Sequence, residues 1–440
     1  MKKKSLLAKL MMVVLVASCT TFVLNYSGAL SKVQAEETSQ YEEIEIFTDI
    51  LSIIQKNYVE EVPVKDLVYG AINGMLETLD PHSAFMPPEI YKERKIDTKG
   101  EFGGLGIEIT VRDGILQVVS PIEDTPAFRA GIQAGDQILK IEGKFTKDLS
   151  IMDAVKIMRG KPGTDVTITI MRESFDKPLP LTLTREIIKI ESVKARMLDD
   201  GYGYVRVSQF QERTGGDLHK VLSDMREENG ALDGLILDLR NNPGGLLDQA
   251  VEVADTFLTE GLIVYTEGRD EENRMRFLAE AENTEPMYPM VVLINDGSAS
   301  ASEIVAGALR DHDRAVTMGT RSFGKGSVQT LIPLGDHSGL SLTTAHYFTP
   351  SGTSIQARGI TPDIEVEQAE ITKAEGDPHF READLEKHLE TRSPESQSSP
   401  EVQQDQKALE KELPGDYQLM RALDLLKGYD VFRKLVPAAA

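Results

Sequence analysis

Asn295-Asp296-Gly297-Ser298-Ala299-Ser300-Ala301-Ser302-Glu303 and, further on, Arg321-Ser322-Phe323-Gly324-Lys325-Gly326-Ser327-Val328-Gln329 decide how this chain is read. The apolar run at 290–295 predicts a strand. A turn of small residues then leads into a helix near 302–309, with Ser300 at or just before its start. A helix of about 12 residues advances ~18 Å. The five-residue strand expected at 315–319 returns ~16 Å. The two displacements nearly cancel, so residues just after Gly319 come back near Ser300. Lys325 lies there with a glycine on each side. Gln329 is four residues beyond it, and on an extended chain the two side chains share a face.

These residue types suit acyl transfer. A Ser hydroxyl is a weak nucleophile until a base removes its proton. Lysine serves as that base only when neutral. Apolar surroundings such as Phe323 and Ile304, and the positive end of the following helix, favour the neutral amine. Gln329 can fix the amine by a hydrogen bond, and the amide of Ala301 can face an oxyanion. A second loop, Arg240-Asn241-Asn242-Pro243-Gly244-Gly245-Leu246, follows a strand expected at 235–239. It lies at a strand's C-terminal end, where sites of α/β proteins collect. Gly244 or Gly245 can supply a second oxyanion amide there. Taken singly, a Ser before a helix is more often a plain N-cap and a glycine pair a plain turn.

Histidine offers no better base. Of seven His, His312 stands at the far end of the Ser300 helix, His82 follows Asp80-Pro81 as a structural residue, and His346 reads as a strand side chain. None has the spacing of a triad or of a zinc pair. The single Cys, Cys19, excludes an intramolecular disulfide and cysteine zinc clusters. No metal or cofactor is expected.

Outward from these loops, residues 187–370 alternate strand candidates (203–210, 235–239, 290–295, 315–318) with helix candidates (216–228, 246–258, 302–309). That pattern predicts an α/β layer with a largely parallel centre. Residues 96–186 read as a small β-rich domain with strands at 115–119, 137–141 and 166–171 and a helix at 151–158. Gly103-Gly104-Leu105-Gly106-Ile107 opens it, ahead of an extended segment at 108–112. This order resembles a PDZ domain. The resemblance implies that Gly104, Leu105, Gly106 and Ile107 hold a peptide's terminal carboxylate while the peptide adds as a strand facing the helix. Residues 36–95 read as helical, with a broad apolar face from Ile44 to Ile54. These helices dock on the rest or pair between copies. Residues 371–440 form an acidic tail rich in Glu, Gln, Ser and Pro, ending in a helix near 416–432 and the apolar Val436-Pro437-Ala438-Ala439-Ala440.

The formal charge is −23, from 48 basic and 71 acidic residues, which disfavours nucleic acid as a partner. The first 35 residues contain no acid. Lys2, Lys3 and Lys4 precede an apolar stretch, as in an export signal. Three fates stay open for it. Val16-Ala17-Ser18-Cys19 resembles a lipobox, which would lipidate Cys19. Val33-Gln34-Ala35 suits ordinary cleavage. The segment can also persist as an anchor. Each places the bulk of the chain outside the cytoplasm, as a periplasmic or membrane-attached protein.

Together the Ser300 and Lys325 segments, Leu79-Asp80-Pro81-His82-Ser83, Pro350-Ser351-Gly352 and Gly359-Ile360-Thr361-Pro362-Asp363 resemble the carboxyl-terminal processing proteases, across roughly residues 40–370. The resemblance implies a crotonase-like α/β protease core carrying an inserted PDZ domain and a helical N-terminal region. It implies Ser300 as nucleophile, Lys325 as general base, Gln329 as the orienting residue, and protein substrates read by their apolar C-terminal tails. Two other readings compete: a catalytically silent PDZ scaffold, against which the intact Ser300, Lys325 and Gln329 stand, and a crotonase-like thioester enzyme, against which the export signal stands.

Overall fold

The structure, a computed structural model, describes residues 42–112, 114–172, 174–199, 201–270, 274–369 and 416–435. The export segment with Cys19, the acidic stretch up to residue 415 and the terminal residues 436–440 lie outside the described residues.

The chain divides into two units, residues 1–85 and 86–440. The first holds helices α1 (42–57) and α2 (Val64–Glu77). Ile44, Phe47, Ile50 and Ile53 of α1 are exposed. The helical reading does not run unbroken through this region. Asp80 takes the N–H of His82 at 2.8 Å and of Ser83 at 2.9 Å, making a tight turn after α2. The chain then forms β1 (Ala84–Met86).

The second unit opens with α3 (Pro88–Lys99). Proline at its first turn starts it, and Gly100, in the left-handed region at φ 69°, ends it. Residues 96–99, expected to begin the β-rich domain, are therefore helical. Strand β2 (Glu101–Gly104) pairs with β9 (Glu186–Lys189) and closes an antiparallel ribbon around an inserted module. The module runs β3 (Ile107–Arg112), β4 (Ile115–Pro121), α4 (Pro126–Arg129), β5 (Gln137–Ile141), β6 (Lys144–Phe145), α5 (Ile151–Met158), β7 (Asp165–Met171) and β8 (Leu179–Thr184). Its sheet order is β3-β4-β5-β7-β8, so β3 is an edge strand. Ser150 and Asp153 cap α5 reciprocally. Ala154 and Met158 of α5 join Leu116, Ile138 and Ile168 in a core of the module's own.

The remaining sheet has the order β10-β11-β12-β15-β16-β19. Its strands are β10 (Val193–Asp199), β11 (Tyr202–Val207), β12 (Gly234–Asp238), β15 (Met290–Ile294), β16 (Val316–Gly319) and β19 (Ile364–Glu365). All neighbours are parallel except the edge pair β10–β11. The central strands β12 and β15 are buried at every residue, so they read as unbroken apolar runs. The order steps in one direction, and parallel crossovers are right-handed, so the connecting helices fall on one face. Helices α6 (Thr214–Asn229), α7 (Leu247–Asp255) and α8 (Ala301–Asp311) cover that face, packed on Leu235, Leu237, Val292 and Ile294. The alternate residues Ile236, Val291, Leu293 and Met318 point to the other face, which no crossover reaches. Helix α9 (Tyr417–Leu435) lies there, burying Leu419, Ala422, Leu423 and Leu426.

A second, antiparallel sheet was not foreseen from the sequence. Its order is β17-β18-β13-β14, with β13 (Leu262–Gly268), β14 (Met275–Leu278), β17 (Ser327–Pro333) and β18 (Gly339–Phe348). Tyr265 and Phe348 stack across it at 5.0 Å.

Candidate active site

Three adjacent parallel strands, β12, β15 and β16, end on the same side. Their loops carry Asn241 to Gly245, Ser298 to Ser300 and Arg321 to Lys325, so the sheet itself brings these distant segments together. Gly319 makes the last turn possible. Its φ is 125°, and a Cβ there would lie 2.1 Å from the carbonyl oxygen of Ile294.

Ser300 precedes α8 with φ 55° and ψ −112°, a conformation that costs a non-glycine residue ~1–3 kcal/mol. The surrounding bonds impose it. Ser298 Oγ donates to Leu239 O at 2.8 Å, and Ser302 Oγ donates to Asn242 O at 2.9 Å. The Ala299 N–H also reaches Asn242 O, at 3.0 Å. Ser298 and Ser302 thus hold the β12 loop, while Ser300 lies between them at the helix start with the spacing of a capping box to Glu303. Ser300 is 8% exposed.

Glu303 ties the Ser300 loop to the Lys325 loop. Its carboxylate is fully buried. Oε2 accepts the N–H of Ser300 at 2.8 Å and of Lys325 at 2.9 Å. The two nitrogens therefore lie within about 6 Å of each other. Oε1 accepts the Ser322 hydroxyl at 2.6 Å and the Gly324 N–H at 2.7 Å. Burial pushes the carboxyl up from its ordinary range, and these four donors offset part of that. Ser300-x-x-Glu303 is the spacing of a capping box, so the sequence itself carries a signal for this residue.

The oxyanion candidates separate. Ala301 is the first residue of α8, where an N–H has no acceptor within the helix. Its amide donates to no acceptor among the described residues. Gly244 is corrected: its N–H donates to Asn242 Oδ1 at 2.9 Å and is not available as an oxyanion donor. What Gly244 supplies is space. A Cβ there would lie 2.9 Å from Ser300 Cβ and 3.0 Å from the Ala301 nitrogen. The N–H of the exposed Gly245 enters no bond among the described residues, which leaves it as the second candidate.

Lys325 is half-buried, and Gly326 beside it donates to Gln356 Oε1 at 2.9 Å. Two expectations here need correction. Phe323 is 63% exposed, so it does not wall off the amine. The other expected neighbour, Ile304, is 2% exposed. Strand β17 begins only at Ser327, two residues past Lys325, so the strand alternation that carries Ser327 and Gln329 on one face does not extend back to Lys325. Gln329 is aimed instead by its Nε2, which donates to Ser327 Oγ at 2.9 Å and Thr343 Oγ1 at 3.2 Å. That leaves Oε1 as an acceptor suited to an amine. His312 Nε2 donates to Leu262 O at 2.7 Å, remote from this cluster. No group of residues suited to hold a metal ion occurs among the described residues.

A family model for peptidase family S41 matches residues 201–366, one for the PDZ domain matches 103–183, and one for the activating protease CtpB N-terminal domain matches 15–90. The carboxy-terminal-processing protease of Bartonella bacilliformis is 48% identical over 89% of this chain and 90% of its own length. The chain belongs to the carboxyl-terminal processing proteases. The enzyme of Synechocystis is 40% identical over 73% of this chain and 77% of its own. Bacillus subtilis CtpA is 36% identical over 73% and 68%. A solved structure of a photosystem II D1 C-terminal processing protease covers 73% of this chain and 92% of its own at 30% identity, with a TM-score of 0.42. As a family member the chain is a serine-type peptidase with a PDZ domain.

In this protease the PDZ module presents the free edge of β3 next to the loop Leu105–Ile107. Gly104 belongs to β2 and pairs with Glu186, so it lies in the ribbon and not in the loop expected from the sequence. The carbonyls of Leu105 and Gly106 accept the N–H groups of Ala127 and Ile122 at 3.0 and 2.9 Å. Gly106 has φ 75°, and a Cβ there would strike Thr125 at 2.3 Å. Ile107 and Ile109 turn toward the module's core.

Proposed function

We propose that this chain is an endopeptidase of the cell envelope that binds apolar C-terminal tails in its PDZ groove and cuts with a Ser300–Lys325 dyad. The observation that carries the reading is the single buried carboxylate, Glu303, holding the main chain of both residues. Ser300 Oγ attacks the scissile carbonyl carbon while Lys325 Nζ takes its proton. Gln329 Oε1 steadies the amine. Negative charge on the carbonyl oxygen develops toward the N–H groups of Ala301 and Gly245. Collapse expels the amine of the C-terminal fragment, which receives the proton from Lys325. Water then hydrolyses the acyl-enzyme with Lys325 again as base.

The tail adds to the edge of β3, its carboxylate on the amides of Leu105, Gly106 and Ile107 and its apolar side chains facing α5. The domain limits follow the ribbon: a module from about 101 to 189 inserted between the helical region and the core. Copies pair through the exposed apolar face of α1, and the basic, apolar N-terminus exports the chain. No helix of the described residues is long and apolar enough to cross a membrane. Casein hydrolysis by wild type, Ser300→Ala and Lys325→Ala tests the dyad. Loss in both variants, with binding of an apolar-tailed peptide retained, is expected. Turnover persisting in either one sinks the assignment, and a wild type with no turnover at all leaves the scaffold reading. Intact-mass analysis of the mature protein reports the N-terminus and the fate of Cys19.

A further inference from the structure

The loop that follows β12 has an anchor far outside the sheet. Arg240, four residues before Gly244, is 7% exposed, and its guanidinium is fully engaged. Nε and Nη2 donate to Asp238 Oδ1 and Oδ2 at 2.9 and 2.7 Å. Nη1 and Nη2 donate to Asp416 Oδ1 and Oδ2, each at 2.7 Å, and Nη1 reaches Gln418 Oε1 at 3.0 Å. Asp238 is fully buried and also accepts the Tyr204 hydroxyl at 2.8 Å and the Arg240 N–H at 2.9 Å. Gln418 passes the connection on, donating to Val366 O at 2.7 Å beyond β19.

Two edges of one guanidinium are thus filled by two carboxylates, one local and one 176 residues away at the start of α9. Arg240 borders a polar cavity of about 680 Å3 that Asn241, Asn295 and Asp416 also line. Asp416 closes the edge that would otherwise turn into that space. The chain then passes through Asn241, held at φ 53° by paired bonds with Asn295 at 2.8 and 2.9 Å, to Asn242, Gly244 and Gly245. A shift of Arg240 moves the start of this path.

Docking of α9 does not need the clamp. Leu419, Ala422, Leu423 and Leu426 already bury it against the sheet, and Tyr202 bonds Asp430 at 2.8 Å. A buried ion pair is often no better for stability than apolar packing, and what it adds is fixed geometry. We propose that Asp416, backed by Gln418, is a positioning residue for peptide hydrolysis, locking Arg240 so that the Asn241–Gly245 loop faces Ser300 and Ala301 in register. The inference rests on the proposed reading of that loop as one wall of the oxyanion site. It extends the working machinery to a helix beyond residues 201–366, the span of the S41 match.

The test uses the full chain, an unstructured peptide substrate and a temperature well below unfolding. Asp416→Asn and Asp416→Ala should lower kcat at least about tenfold with KM nearly unchanged, because a misplacement of ~1 Å can cost ~100-fold. Asp416→Glu should recover part of the rate. Leu423→Ala, which loosens α9 away from the clamp, should lower Tm at least as much and leave kcat within about twofold. Arg240→Lys cannot span both carboxylates, so adding Asp416→Asn to it should cause little further loss. Wild-type kcat in Asp416→Ala overturns the proposal, as does a kcat loss that tracks Tm across all variants, Leu423→Ala included. Ser300→Ala run alongside judges the underlying reading separately. Turnover there strikes the nucleophile, while the Asp416 series still decides the clamp.

Discussion

Glu303→Gln is the sharpest perturbation of the site, because four donors converge on two oxygens. Glutamine keeps one acceptor oxygen and replaces the other with an NH2 group. If the oxygen stays at the Oε1 position, the N–H groups of Ser300 and Lys325 both face an amide donor. If it flips, those two bonds survive. The NH2 then meets Gly324 N–H and Ser322, whose Oγ already accepts Ile360 N–H at 2.6 Å. The flipped form is the better one, since a hydroxyl can rotate and a main-chain N–H cannot. One or two buried donors are left unmatched, at ~1–3 kcal/mol each. Relief from burying a charge offsets part of that. A net loss of about 2 kcal/mol would lower Tm by roughly 4–8 °C in a core of this size. The activity loss should be larger than the stability loss suggests, because the strained turn at Ser300 and the Gly324–Lys325 turn lose a shared anchor. We expect kcat to fall at least about tenfold, or ~1.4 kcal/mol of barrier, at a temperature where the variant is folded. Thermal unfolding and steady-state cleavage of a fluorogenic peptide measure the two effects. A Glu303→Gln enzyme with unchanged Tm and kcat within twofold of wild type would refute the reasoning.

Lys325→Arg should be inactive at every pH, since the guanidinium stays protonated, whereas wild-type activity should fall on acidification. An active Lys325→Arg enzyme would remove lysine from the base role. Gly244→Ala places a methyl group against Ser300 Cβ and Ala301 N at a φ of 100°, so kcat should drop sharply with ~1–3 kcal/mol of stability. Normal turnover would show that the space in front of Ala301 is not used. Burial alone would push Asp416 up. The Arg240 hydrogen bonds and charge outweigh it and hold the carboxyl below its ordinary 3.8. A depressed carboxyl stabilises the fold above that ordinary value and loses the contribution as pH falls through the lowered one. The stability gap between wild type and Asp416→Asn in urea titrations should thus be constant near neutrality and close below pH 3.8; a gap that widens with acid contradicts the clamp. Excising the PDZ module at residues 105–185, which keeps β2 and β9 for the ribbon, should raise the rate on a short unstructured peptide if the module gates the cleft; an unchanged rate rules out simple gating.

What local pattern sets was legible. The apolar runs of β12 and β15, the small-residue turn before α8 and the return of the chain through β16 place Ser300 and Lys325 near one another by rise per residue alone, because backbone geometry is transferable. The PDZ module and its helix α5 were readable for the same reason. Only the folded chain decides which donors are already taken. Gly244 and Gly245 look equivalent in sequence, yet the Asn242 side chain occupies one N–H and leaves the other. Phe323 looks like a hydrophobic wall and instead faces solvent, and Gln329 is aimed by its bonds to Ser327 and Thr343, the second of them on a strand far along the chain. The second sheet is not legible in the sequence because β13 and β18 are separated by α8 and much of the core, and such pairing leaves no local period. Helix α9 was expected as a segment, but its place was not. One-directional strand order leaves a whole face of the sheet bare, and the pairing of Asp416 with Arg240 across 176 residues is a fact of packing that no window of sequence contains.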